Sequence, residues 1–292
     1  MGSEMCIRDR YISLRKLENE ALRALSDQIM FGDVANPIQV SISQFYGIEI
    51  NDFAVTVAKT ALWIAESQMM KETEDIMHMS IDFLPLKSYA NIVEGNALRL
   101  DWETVIPKRE LDYIMGNPPF VGYTYQTPEQ KSDLQSVMPG IGKNIDYVSG
   151  WYFKAAKLMQ ETTIRTAFVS TNSITQGEQV AAIWKPLRNT LGIHIDFAHR
   201  TFRWDSEANM KAHVHCVIVG FSIAPIAGKR LLYTSDRVQE CDNINAYLLD
   251  APEVFIDRRT HPLCAVPEIQ KGSQPTCLLY TSDAADDLIG VD

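Results

Sequence analysis

The sequence has few cysteines, a shortage of positive charge and no long apolar run. Its five cysteines are scattered over 292 residues without a Cys-x-x-Cys pair. This usage argues against a disulfide framework or a structural zinc site and favours a reducing cytoplasm. No apolar run approaches the roughly 18 residues of a membrane span, and the opening residues lack the apolar core of a signal peptide. We therefore expect a cytoplasmic globular protein with no membrane contact.

Positive charge is scarce because 27 Lys and Arg residues stand against 37 Asp and Glu residues, which gives a net charge of -10. Proteins that grip nucleic acid usually present a basic surface. Composition alone therefore argues against a DNA partner. The hydrophobic fraction of 46% fits one large domain or two small ones with a sizeable core.

The two ends of the sequence differ from its middle. Residues 1–10 (MGSEMCIRDR) have no clear period, and residues 277–292 (CLLYTSDAADDLIGVD) carry four aspartates and no basic residue. Both resemble translated adapter or vector sequence, so we expect them to be non-native. A natural acidic tail is the alternative, and a short true repeat stays open because LLYTSD also occurs at 231–236. Without these ends the net charge of residues 11–276 is -6.

The middle of the chain alternates predicted helices and strands. The first helix is predicted over 11–30 from an apolar spacing of Leu14, Leu17, Ala21, Leu25 and Ile29. Residues 121–144 are predicted as a loop, and periodicity fades after residue 222. Further helices are predicted over 52–70, 145–161 and 178–191, and strands over 44–50, 91–95, 111–116, 166–171, 193–199 and 213–222.

This alternation predicts an α/β fold with a mostly parallel sheet and helices on both faces. Ligands of such sheets bind beyond the carboxyl ends of the strands. Three polar turns follow predicted strands, at Glu49, after Glu94 and at Asn117. We expect the functional site to lie among these turns.

The most informative motif is Asn117-Pro118-Pro119-Phe120, which follows the predicted strand 111–116. Proline lacks an N–H and fixes φ, so the strand ends there and the turn is rigid. The Asn117 side chain and the Pro118 carbonyl present two oxygens that can accept both hydrogens of an exocyclic amine, while Phe120 offers a face for a stacked base. These residues predict methyl transfer to the amino group of an extruded base. The alternative is a turn that only ends a strand.

Three runs resemble, in order, motifs of the S-adenosylmethionine-dependent amino-methyltransferases. They are GIEIND at 47–52 (motif II), GNALRLDW at 95–102 (motif III) and YIMGNPPFVG at 113–122 (motif IV). Residues 168–184 and 199–221 more particularly resemble the methylase region of the MmeI-type (type IIG/IIL) restriction–modification enzymes. The similarity covers nearly all of residues 11–276.

The resemblance implies a Rossmann-like methyltransferase that methylates adenine N6 in DNA. It assigns catalysis to Asn117, Pro118, Pro119 and Phe120, and the cofactor S-adenosylmethionine to Glu49, Ile50, Asn96, Ala97 and Asn117. Glu49 would bind the ribose hydroxyls, and the alternative is an ordinary strand-end carboxylate that caps the next helix. The family more often has Asp where this sequence has Asn96. No metal is implied, because His213 and His215 are better explained as paired strand residues.

Aromatic residues near the turns are candidates for the base pocket. Phe120, Tyr123, Phe202 and Trp204 are assigned to substrate binding, with Tyr125 and Gln126 as further candidates. Loop aromatics more often serve packing, which remains the alternative for each. The implied partner is double-stranded DNA with a flipped adenine.

One element of the family pattern is not found. A strand with a Gly-rich loop (motif I) comes before the helix that matches 11–30 in the family, whereas this sequence has MGSEMCIRDR there. We expect a methyltransferase domain truncated at its N-terminus over 11–222, followed by a connector or the start of a recognition region over 223–276. The nuclease and target-recognition domains would lie on a longer chain, which would also supply the basic surface.

Other functions remain open from the sequence. Turns of this type also serve methyltransferases that act on RNA or on protein glutamine, and a fragment can act as a non-catalytic DNA-binding scaffold. Transfer of labelled methyl groups would separate these.

Overall fold

A computed structural model of the chain describes residues 3–25, 38–78, 91–141, 144–204 and 214–257. Ile29 of the predicted first helix, His213 and the segment 277–292 lie outside these residues. Within them, no helix has the length and apolarity that crossing a membrane requires.

Five α-helices lie within the described residues, and local sequence signals mark where they begin. They are α1 (Ser3–Leu25), α2 (Asp52–Met77), α3 (Pro128–Val137), α4 (Ser149–Leu158) and α5 (Glu178–Asn189). The side chain of Asn51 caps α2 by accepting a hydrogen bond from the Ala54 amide at 3.0 Å. Thr127 and Gln130 form a capping box before α3, with Pro128 at the first helical position.

Helix α1 buries a different face from the one that its apolar spacing predicts. Leu14, Leu17 and Leu25 are exposed, and the buried residues are Tyr11, Arg15, Asn19 and Leu22. Arg15 donates a hydrogen bond to the Thr73 hydroxyl on α2 at 2.6 Å, and Thr73 donates to Asn19 at 2.8 Å. The predicted apolar face is therefore wrong, because a buried polar network packs α1 against α2.

The described strands form two sheets. The strands are β1 (Tyr46–Glu49), β2 (Asn91–Glu94), β3 (Tyr113–Gly116), β4 (Arg165–Thr171), β5 (His194–Trp204), β6 (Val214–Ser222), β7 (Arg230–Tyr233) and β8 (Val238–Cys241). β1 pairs in parallel with β2, and the other six follow the order β3-β4-β6-β5-β7-β8. From the pairings, β3, β4, β5 and β7 run in one direction while β6 and β8 run in the other. This architecture confirms the Rossmann-like α/β class.

The structure differs from the predicted elements at several places. Helix α1 begins at Ser3 instead of residue 11, and α2 continues to Met77 beyond the predicted end at residue 70. The predicted loop 121–144 contains α3. β5 continues five residues beyond the predicted end at residue 199, and β7 and β8 were not predicted. The sheet thus continues past residue 222, where a connector was expected to begin. The limits of the domains stay a prediction, as does the non-native origin of residues 1–10, of which Ser3–Arg10 are helical.

The larger hydrophobic core lies between the six-stranded sheet and α4 and α5. Tyr152 is fully buried at its centre, with its ring 5.2 Å from Phe168, 5.3 Å from Phe221 and 5.6 Å from Trp184. A second cluster joins α1, α2 and β2 through Tyr11, Leu62 and Ile92. These cores fix the strand ends from which the polar turns emerge.

Candidate active site

The Asn117-Pro118-Pro119-Phe120 turn begins where β3 ends. Gly116, the last residue of β3, pairs with Phe168 of β4, and a Cβ at Gly116 would lie 3.3 Å from the Phe168 ring. Pro118 is buried, Asn117 and Pro119 are exposed, and Phe120 is half-buried. The sheet thus anchors the turn through Pro118 and leaves Asn117 at the surface.

The segment that follows the turn is fixed by residues Asp146 and Tyr147. The Val121 carbonyl accepts a hydrogen bond from the Tyr147 amide at 2.9 Å, and the Tyr123 amide donates to Asp146 Oδ1 at 3.1 Å. Both Asp146 and Tyr147 are buried. Two successive residues therefore hold the backbone of residues 121 and 123, which follow Phe120 in the chain.

Asp146 also reaches the end of the neighbouring strand. Its Oδ2 accepts a hydrogen bond from Ser173 Oγ at 2.5 Å, just after β4, and its amide donates to the Gln179 side chain at 3.0 Å. Asp146 was not identified from the sequence. Its one signal is an acidic residue inside the apolar run at 145–148, since such a residue needs partners when it is buried.

Glu49 lies at the carboxyl end of β1 and contacts its own turn. Glu49 Oε1 accepts hydrogen bonds from the amides of Ile50 at 2.9 Å and Asn51 at 3.4 Å. The Glu49 carbonyl accepts from the Gly95 amide at 2.8 Å, which brings the turns after β1 and β2 together. Ile50 is 68% exposed. The amides of Ile50 and Asn51 belong to the turn before α2, and the cap of α2 itself is Asn51.

The turn after β2 is held by the side chain of Asn96. Asn96 Oδ1 accepts a hydrogen bond from the Leu98 amide at 2.9 Å, and Nδ2 donates to Asp133 Oδ2 at 3.0 Å. The Ala97 carbonyl accepts from Trp102 Nε1 at 2.8 Å. The side-chain amide of Asn96 therefore stabilises its own turn and also binds Asp133.

Asp133 on α3 is a buried carboxylate with three side-chain donors. It accepts from Asn96 at 3.0 Å, from Arg99 at 2.6 Å and from the Tyr147 hydroxyl at 3.0 Å. Burial raises the pKa of this carboxyl, but the hydrogen bonds outweigh burial and hold the pKa below its ordinary value. Burial and then the bond to Asp133 raise the pKa of Tyr147 to about 12. At neutral pH Tyr147 therefore donates and Asp133 accepts.

These contacts connect two of the predicted turns. Tyr147 binds Val121 through its amide and Asp133 through its hydroxyl, and Asp133 binds Asn96. A continuous hydrogen-bonded path thus runs from the turn after β2 to the segment following Phe120. Asp133 and Tyr147, like Asp146, were not identified from the sequence.

The aromatic candidates occupy different surroundings. Tyr123 and Tyr125 are 41% and 84% exposed beside the turn. Phe202 pairs with Cys216 between β5 and β6, with its ring 4.9 Å from the His199 ring. The side chain of Trp204 lies outside the described residues. Gln126 is buried and donates to the Ile145 carbonyl at 2.8 Å, which favours packing over a contact with a base.

A Rossmann-like sheet that presents an Asn-Pro-Pro-Phe turn at a strand end defines a methyltransferase domain. The family model described as "MmeI, DNA-methyltransferase domain" matches residues 2–234. The chain is 38% identical over 287 residues to DNA methyltransferase A of Bacillus subtilis (strain 168). The aligned region covers 96% of this chain and 32% of that protein. The chain belongs to the MmeI DNA-methyltransferase domain family.

A solved structure agrees with this assignment. The Type IIL restriction-modification enzyme MmeI, solved in complex with DNA, is 42% identical with a TM-score of 0.84, over 91% of this chain and 37% of that one. The predicted resemblance to MmeI-type methylases is thereby confirmed. The chain spans about a third of the length of these two relatives.

Proposed function

We propose that this chain is the methylating part of a longer protein that transfers a methyl group from S-adenosylmethionine to adenine N6 in DNA. The observation that supports this most directly is the anchored turn, in which buried Pro118 fixes exposed Asn117 at the end of β3. The 42% identical relative is a restriction-modification enzyme in complex with DNA. Modification of DNA for restriction or host protection is the proposed role.

The turn acts by orienting the target amine. Asn117 Oδ1 and the Pro118 carbonyl accept the two hydrogens of the amino group, which directs the nitrogen lone pair out of the ring plane. Phe120 stacks on the extruded base, an interaction of about 1–3 kcal/mol per base in single-stranded complexes. Alignment of the reacting atoms lowers the barrier, so a strong general base is not needed. The proton leaves late, to water or a weak acceptor.

The proposed cofactor residues are Glu49, Ile50, Asn96, Ala97 and Asn117. S-adenosylmethionine supplies an electrophilic methyl group on a sulfonium. The donor set fits its adenosine half, because a carboxylate at the end of β1 can accept from a ribose diol and the adjoining turn after β2 is held rigid by Asn96. The printed sequence contains no Gly-rich loop for the methionine half.

A further strand between β1 and β3 would complete the sheet. Among the described strands, β1 pairs with β2 alone and β3 pairs with β4 alone. A two-stranded sheet is marginally stable by itself, so a strand carrying a Gly-rich loop, supplied by a longer chain, would cover these edges.

The base pocket is proposed to include Phe120, Tyr123, Phe202 and Trp204. The exposed ring of Tyr123 lies two residues after Val121, beside the anchored turn. Nuclease and target-recognition domains on the longer protein would provide the basic contacts with DNA. The cytoplasm, where chromosomal DNA is accessible, is the proposed location.

Transfer of radiolabelled methyl groups tests the proposed function. The protein encoded by the longer gene is incubated with tritiated S-adenosylmethionine and with unmethylated genomic DNA, RNA or protein. We expect label in DNA, and its loss in the Asn117→Ala variant. Label in RNA or protein supports the other methyltransferases. DNA binding without transfer, unchanged by Asn117→Ala, supports a non-catalytic scaffold.

A further inference from the structure

We propose that Asp146 and Tyr147 are positioning residues that form one clamp, coupling the base-side turn to the cofactor-side turn. This inference rests on the proposed function. The two residues are adjacent in sequence, both are buried, and each binds the segment after Phe120. Neither residue belongs to the motifs at 47–52, 95–102 and 113–122 on which the proposed function rests.

The base-side arm of the clamp runs through Asp146. Its two carboxylate oxygens bind the Tyr123 amide at 3.1 Å and Ser173 Oγ at 2.5 Å. Ser173 follows β4, which pairs with β3. Asp146 thus ties the chain after the Asn-Pro-Pro-Phe turn to the neighbouring strand end. Loss of this arm lets the backbone around Phe120 shift while the cofactor-side turn stays in place.

The cofactor-side arm runs through the hydroxyl of Tyr147. This hydroxyl donates to Asp133, and Asp133 accepts in turn from Asn96 and Arg99. The amide of Tyr147 meanwhile binds the Val121 carbonyl at 2.9 Å. Removal of the hydroxyl alone therefore loosens the Asp133 cluster and leaves the backbone bond to Val121 intact.

The two arms predict opposite kinetic effects in the longer, active protein. Tyr147→Phe should weaken S-adenosylmethionine binding about three- to tenfold, in KM and in the calorimetric Kd, with kcat within about twofold. Asp146→Ala should lower kcat by about tenfold or more with the cofactor Kd nearly unchanged, because small misplacements of the reacting groups are costly. Asp146→Asn should restore most of kcat, since its amide oxygen can accept from the Tyr123 amide and its amide nitrogen can donate to Ser173 Oγ, which accepts in place of donating.

Tyr152→Phe is the matched control. Tyr152 is also a buried tyrosine, and its hydroxyl is 2.8 Å from Ser170 Oγ inside the core, whereas the Tyr147 hydroxyl binds Asp133. Tyr152→Phe should lose stability as Tyr147→Phe does, with KM, Kd and kcat per folded molecule unchanged. A double variant of Tyr147→Phe and Asp133→Asn should weaken cofactor binding less than the two single effects combined, because both act on one arm.

The clamp is refuted if all variants change only the fraction of folded protein, or if both arms affect Kd and kcat alike. Full additivity of Tyr147→Phe and Asp133→Asn also contradicts it. Failure of the proposed function is a separate result, because the unmodified longer protein would then transfer no methyl group to DNA. Calorimetric binding of the cofactor still reports the Tyr147 arm in that case.

Discussion

Asn117 combines an exposed side chain with an anchored backbone. Pro118 is buried next to it, and Gly116 before it pairs with Phe168 in the sheet. An exposed polar side chain contributes little to the stability of the fold. The Asn117 side chain is therefore free to bind a substrate while its backbone stays fixed.

Asn117→Ala should therefore separate activity from stability. Loss of one oriented hydrogen-bonding group at a reacting centre costs about 10²–10³ in rate, and we expect a fall of that size in methyl transfer to DNA. The free energy of unfolding should change by less than about 0.5 kcal/mol. Steady-state transfer and chemical unfolding measure the two quantities. Asn189→Ala, another exposed asparagine, is the control and should alter neither. Transfer at an undiminished rate by Asn117→Ala would contradict the assigned role.

The buried carboxylate of Asp133 makes stability depend on pH. Its pKa lies below the ordinary value in the folded chain, because the bonds from Arg99, Tyr147 and Asn96 outweigh burial. A lowered folded pKa means that the stabilisation is complete above the unfolded pKa and is lost as the pH falls through the folded pKa.

Asp133→Asn should cost about 1–3 kcal/mol of unfolding free energy at pH 7. The difference from the unmodified chain should begin to shrink below about pH 4, where the unfolded carboxyl becomes protonated. It should be smallest below the lowered folded pKa, where both folded chains carry a neutral group. Urea unfolding between pH 7 and pH 3 measures it. If the two chains differ in unfolding free energy by the same amount over this pH range, the charge of Asp133 does not contribute to stability.

At the scale of elements, helix α4 packs closely against the turn after β2. A Cβ added at Gly150 would lie 2.9 Å from Leu98 Cδ1 and 3.0 Å from Leu134 Cδ2, and both leucines are buried. Leu98 belongs to the turn that follows β2, and Leu134 to α3. Gly150 thus allows α4 to approach the elements that carry Asn96 and Asp133.

Gly150→Ala should destabilise the chain by about 1–3 kcal/mol, because overpacking outweighs the gain in helix propensity of about 1 kcal/mol. Gly122→Ala is the matched control, since its added Cβ meets no atom nearer than 3.7 Å. Thermal and urea unfolding should distinguish the two. Equal stability of both variants would contradict the close packing of α4.

The elements that sequence predicts are those with a local signal. The strand before Asn117 was predicted correctly, because a proline pair ends a strand within a few positions. Helix α3 was missed although Thr127 and Gln130 carry its capping signal. The buried face of α1 was predicted wrongly because Arg15 bonds with Thr73, 58 residues away.

The candidate site divides in the same way. Asn117 and Glu49 belong to short motifs at strand ends. The residues next to them in the sequence are therefore enough to predict where they lie in the sheet. Asp133 lies 37 residues from Asn96, and Asp146 lies 23 residues from Tyr123. Their roles depend on contacts between distant segments, which no pattern within one segment reveals.

At the scale of the whole molecule, the described strands form two separate sheets with the proposed cofactor site at the end of β1 and β2. The cofactor residues that we propose serve the adenosine half of the cofactor, and the sequence shows no motif I loop for the methionine half. Most of the binding surface for the charged end would then come from elsewhere on a longer chain.

The 292-residue chain alone should therefore bind S-adenosylmethionine weakly or not at all. Isothermal calorimetry should give no saturable heat at micromolar cofactor, whereas the longer protein should bind. A micromolar or tighter Kd for the isolated chain would show that its own residues suffice.

The most direct test concerns the proposal that the turn at Asn117 orients adenine N6 of DNA for methylation. The most direct measurement is mass spectrometry of the nucleosides from DNA treated with the longer protein and isotopically labelled S-adenosylmethionine. We expect labelled N6-methyldeoxyadenosine as the product. Label on cytosine, or no label in DNA from a protein that binds the cofactor, would contradict it.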